Sequence, residues 1–96
     1  SAIADKVRND QVIVLDSLVI EEAKTKPFVA MMESLGADGS ALVLLDRENR
    51  NLQLSVRNIP RVKTLRIEGL NVYDLLYYEK VLLSKDIIPG LEEVLS

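Results

Sequence analysis

The sequence predicts an α/β protein, a three-layer α/β/α sandwich around a four-stranded parallel sheet. Three observations lead there. Four short apolar runs are spaced along the chain: "VIVL" at 12–15, "ALVLL" at 41–45, "VKTLRI" at 62–67 and "KVLL" at 80–83. The first two are apolar throughout, as in strands covered on both faces, which is how parallel strands sit. Helical patterns fill the intervals, and strands alternating with helices form layered α/β sheets.

The elements follow in order. "SAIADKVRND" begins without Met, and Ile3 and Val7 stand four apart, as on one helix face. It reads as the last turns of a helix, and the chain as a piece of a longer protein. After the first strand comes "TKPFVAMMESLG", with Thr25 expected as N-cap, Pro27 in the first turn and Gly36 as the stop. Phe28, Met31, Met32 and Leu35 repeat at i, i+3, i+4 and i+7, the stripe of a core-facing helix.

"RENRNLQLSVRNIP" is ambiguous. Leu52, Leu54 and Val56 alternate like a strand, whereas Leu52, Val56 and Ile59 fit a helix face. Adjacent parallel strands need a crossover, so a helix at about 50–57 is expected, with Asn58 after it and Pro60 closing it. In "EGLNVYDLL", Asn71 is expected to cap a helix with Asp74 at N3, and Leu70 and Leu75 to form a hydrophobic staple. Val72, Leu75 and Leu76 should face the sheet, and Tyr73 and Tyr77 should pair on the flank. "SKDIIPGLEEVLS" is a terminal helix that either starts at a Ser84 cap or becomes regular near Pro89.

The 96 residues carry a net charge of −3, 48% hydrophobic residues, no cysteine and no histidine. One globular domain, 1–96, is expected. Disulfide frameworks and thiolate metal sites are excluded, and the commonest general base and metal ligand is absent. No apolar run approaches the length of a membrane span. The phosphate-binding patterns G-x-G-x-x-G and G-x-x-x-x-G-K-[ST] do not occur, and no G-x-S-x-G is present. No cofactor is expected.

Two sets of residues bear on function. Asp16 and Asp46 each directly follow an apolar strand, at the carboxyl edge of the sheet, where ligands of open α/β sheets bind. They raise the alternative of a small magnesium-dependent carboxylate enzyme or phosphoacceptor, although an aspartate at a strand end more often caps a turn. The second set is cationic. Arg47, Arg50, Arg57, Arg61, Lys63 and Arg66 stand against Glu48 alone between 47 and 66, a basic stretch in an acidic protein. Lys24, Thr25 and Lys26 sit at a predicted helix N-terminus, whose N–H groups favour phosphate. Lys85, beside Asp86, reads as a solvated helix start. The three tyrosines cluster at 73–78, and no strand shows an exposed aromatic pair, so an RNA partner would be held by backbone and shape. A protein-docking domain with an open sheet edge is a third possibility.

The stretches "EEAKTKPFV", "RNIPRVKTLRIEGLNVYDLL", "KVLLSK" and "LEEVL", in that order and spacing, resemble the carboxyl-terminal part of ribosomal protein four of the large subunit, bacterial or organellar. The similarity runs over essentially the whole chain. The resemblance implies a parallel sheet of order 1-4-2-3 and a structural, non-enzymatic protein that binds large-subunit ribosomal RNA early in assembly. It implies neighbouring ribosomal proteins and, through repression of its own operon, its own messenger RNA as further partners, with no membrane involved. The location would be the ribosome, cytoplasmic or organellar. The family also has a long basic loop reaching toward the exit tunnel, and no such loop occurs within these residues. By the same resemblance, Lys24, Thr25, Lys26, Arg57 and Asn58 would stand at the family's RNA-facing positions; the other cations are added from charge alone. "IIPGLEEVL" departs from the usual regular helix and leaves the last helix's start open.

Overall fold

The structure is a computed structural model, and it describes residues 11–16 and 24–95. The expected helix at Ile3 and Val7 lies outside the described residues. The elements run β1 (Val12–Leu15), α1 (Thr25–Ser34), β2 (Ala41–Leu45), α2 (Arg50–Val56), β3 (Val62–Arg66), a 3-10 turn (Ile67–Gly69), α3 (Val72–Tyr77), β4 (Lys80–Ser84), a second 3-10 turn (Lys85–Ile87) and α4 (Ile88–Leu95). The four strands form one sheet of order β1-β4-β2-β3, parallel throughout. This is the fold class and the strand order expected.

The pleat divides the core in two. Ala41, Val43 and Leu45 of β2, with Leu82 of β4, pack under Phe28 and Met32 of α1 and Leu52 and Val56 of α2. Leu42, Leu44, Val81 and Leu83 point the other way, toward Leu75 of α3 and Leu91 of α4. Both central strands are buried on both faces, which is why their sequences read as unbroken apolar runs. β1, expected like β2 to be covered on both faces, is instead an edge strand with no strand beyond it among the described residues, and its Val14 is half-exposed.

Local chemistry fixes the helix ends. Gly36 adopts φ 75° just past α1, where Gly36 and Ala37 donate N–H bonds to the carbonyls of Glu33 (3.1 Å) and Met32 (2.8 Å). That pair of bonds is a Schellman motif, and it tucks Ala37 into the core beside Met32. Asn49 caps α2 by accepting from the Leu52 N–H at 3.1 Å. At α3 the Asn71 side chain accepts from the Asp74 N–H while the Asp74 carboxylate accepts from the Asn71 N–H, a complete capping box. Leu70 and Leu75 share the second core cluster, as a staple requires.

Four local expectations are corrected or narrowed. Lys24, not Thr25, is the N-cap residue of α1, with no side-chain capping bond, and Thr25 already has helical backbone. β3 stops at Arg66, because Ile67 leaves the sheet line to open the 3-10 turn and bury its side chain under α4. Of the two starts left open for the last helix, the later one holds: Ser84 closes β4 without a capping bond, and the regular helix begins at Ile88 with Pro89 in its first turn, where no N–H is needed. Finally, Val72 and Leu76 do not face the sheet: they are 48% and 63% exposed. α3 has under two turns and rests on the core through Leu75, and residues three before and one after it are rotated by about 60° and 100°. The tyrosine pairing also shifts by one, to Tyr77 and Tyr78, whose rings meet edge to face at 4.9 Å.

Candidate nucleic-acid interface

Parallel strands all end at one edge, so the chain must return to the opposite edge through each helix. The α1 N-terminus therefore lies at the carboxyl edge of the sheet, together with the residues that follow each strand. This geometry gathers part of the predicted cationic set and separates the rest. Lys24 and Lys26 are exposed at the start of α1, with Thr25 half-buried between them. Arg47 follows β2 and Arg50 opens α2, both exposed. Arg66 ends β3 at the same edge and is held by Glu68 at 2.7 Å.

α2 then carries the chain back by about 10 Å, seven residues at helical rise. Arg57 and Asn58, both exposed, thus emerge at the amino edge. Arg61 is there too, its Nε donating to the Asp38 carbonyl at 2.9 Å while its own carbonyl accepts from the Ala41 N–H. That side chain ties the β2 and β3 entries together. Lys63 is exposed in the edge strand β3, on the face that Leu65 shares with α3 and α4. The basic stretch 47–66 is therefore divided between the two edges, and does not form one face.

Lys85 belongs with the first group. β4 lies between β1 and β2, so the residue after it stands in the middle of the carboxyl edge, and Lys85 pairs with Asp16 at 3.5 Å. Its position right after an apolar run was the available signal. Both partners of this pair are largely exposed, so the pair contributes little stability.

Asp16 and Asp46 are not brought together. With β4 between their strands, their backbones are two strand spacings apart, about 10 Å. Asp46 lies beside Arg47 at 3.9 Å. No group of three acidic side chains suited to a metal ion occurs among the described residues. Among the described residues, no helix is long and apolar enough to cross a membrane.

The sequence has relatives. The family model described as "Ribosomal protein L4/L1 family" matches residues 1–94. The chain belongs to that family. Among curated members, the large ribosomal subunit protein uL4 of Ruminiclostridium cellulolyticum is 42% identical over 94 residues, 98% of this chain and 45% of that protein. The uL4 of Moorella thermoacetica is 42% identical over 96 residues, covering all of this chain and 46% of the relative. That of Desulforamulus reducens is 45% identical, with the same coverage. The chain thus spans a little under half the length of these L4/L1 relatives.

Proposed function

We propose that this chain is a structural constituent of the large ribosomal subunit that binds its RNA through phosphate contacts and catalyses no reaction. The observation that carries this is family membership across 1–94 on a sheet of the order that the family resemblance implied. The carboxyl edge supports it with a concentrated set of cations: Lys24 and Lys26 beside the Thr25 N–H at the start of ten-residue α1, then Arg47 and Arg50, with Arg66 alongside. Guanidinium and ammonium groups there, added to the partial positive charge of the α1 N-terminus, suit the phosphates of a folded RNA. Arg57, Asn58, Arg61 and Lys63 serve as a second, smaller contact on the other side. Neighbouring ribosomal proteins complete the setting, the ribosome is the site of action, and its own messenger RNA is a second polyanion for the same edge.

These 96 residues hold no long basic loop, so their affinity for RNA is expected to be modest and strongly salt-dependent. A gel-shift series with a large-subunit ribosomal RNA transcript at increasing potassium chloride tests this. If Lys24, Lys26, Arg47 and Arg50 each neutralise one phosphate, log affinity should fall against log salt with a slope of roughly −3. A flat response would remove the proposal.

A further inference from the structure

The surface of α3 carries none of the cations proposed to contact RNA and is unlike the rest of the molecule. Among the described residues six large apolar or aromatic side chains are exposed, and four lie in this six-residue helix: Val72, Tyr73, Leu76 and Tyr77. Val72 and Leu76, and Tyr73 and Tyr77, stand one turn apart, so the four form a continuous stripe. The stripe is well anchored for so short a helix. The capping box fixes its start, Leu75 anchors its inner side at 0% exposure, and the Tyr78 ring braces Tyr77. Exposed contiguous apolar surface of this kind, rich in tyrosine, marks docking sites.

Charge says what docks. Residues 24–66 carry eight cations against four carboxylates, whereas residues 67–95, which form α3, β4 and α4, carry six carboxylates against two lysines. Glu79 stands two residues after Tyr77, and Asp86, Glu92 and Glu93 lie on or before α4, in the same helical layer. Lys63, on the same side of β3, still leaves carboxylates in excess. Such a field repels polyphosphate and attracts a polycation.

We propose that the α3 stripe docks a basic amphipathic segment of another protein, its apolar side chains on Tyr73 and Leu76 and its lysines or arginines over the surrounding carboxylates. This deepens the ribosomal reading by giving a protein partner a surface opposite in character to the RNA edge, and it rests on that reading for the partner's setting.

The test is an NMR titration of the isotopically labelled 96-residue chain with a short Leu/Lys amphipathic peptide, its Leu/Glu counterpart and oligouridine, alongside dilution of the chain alone. The Leu/Lys peptide should shift amides 72–78 saturably, and Tyr73→Ser with Leu76→Ser should weaken it about tenfold or more. Both side chains are exposed, so circular dichroism should be unchanged; should the double variant unfold, Tyr73→Lys provides the same loss by repulsion. Equal binding of the Leu/Glu peptide, oligouridine shifts on α3, α3 shifts on dilution that report a second copy, or no α3 shift at all would each overturn the proposal. Oligouridine that moves no amide anywhere would count against the RNA reading alone, since the peptide result stands apart from it.

Discussion

Asn71 shows how much one side chain does in this fold. Its Oδ1 accepts from the Asp74 N–H at 3.1 Å, and its own N–H donates to the Asp74 carboxylate at 3.4 Å. Asn71→Ala should lower stability by about 1 kcal/mol, read as a shift in the urea midpoint at unchanged slope. Leu75, fully buried below it, should cost about 2–5 kcal/mol as alanine, because the cavity under a helix with one anchor has few neighbours to fill it. Gly36 makes a cleaner test. An added Cβ there meets nothing within 4 Å, so Gly36→Ala isolates the strain of φ +75°, about 1–2 kcal/mol. A much smaller loss would mean that the α1 terminus rearranges. The Asn71 cap and the Gly36 stop were legible in the sequence because they are contacts between residues three to five apart. The error at Thr25 was of the same range: the side chain that suits a cap stood one place inside the helix.

At the scale of elements, α2 carries the main lesson. Its sequence alternates like a strand as well as a helix, and periodicity alone left both open. The parallel pairing of β2 with β3, Ala41 opposite Val62 and Leu45 opposite Arg66, removes the strand reading, and Leu52 and Val56 become the buried face of α2, with Ile59 buried just beyond it. The same crossover moves Arg57 away from Arg50, which gives a prediction with two arms. Replacing Lys24 and Lys26 together by alanine should flatten the salt slope of RNA binding by about 1.5, and Arg57→Ala by about 0.7–0.9 or less. A larger effect at Arg57 would put the principal RNA surface at the amino edge. The α3 stripe was missed for an elementary reason. A six-residue helix has no room to show which of its apolar residues face inward, so its sequence alone places Val72 and Leu76 in the core with Leu75.

For the whole molecule, β2 and β4 couple the two helical layers, since each gives alternate side chains to both clusters. Unfolding should accordingly be a single transition. Tyrosine near-ultraviolet dichroism, which reports the α3 side through Tyr78, and far-ultraviolet dichroism should give coincident melting curves. Separate curves would show the layers to be independent. Met32→Ala in one cluster and Leu75→Ala in the other should each lower both signals together, by about 2–5 kcal/mol each.

The residues themselves determined the fold class, the four strands and the covering of β2 on both faces, because burial of a whole strand leaves an unbroken apolar run; the equally apolar β1 lies at the sheet edge, and there position in the sheet, not the run, decided exposure. Strand order entered only through family resemblance, as no local pattern encodes which strands become neighbours. Where the charges ended was settled by packing. Positions adjacent in sequence between 47 and 66 fall at opposite ends of the sheet, while Lys24, Arg47 and Lys85, far apart along the chain, share one edge. Periodicity is a property of short segments, whereas a surface is assembled by crossovers that return the chain across the sheet.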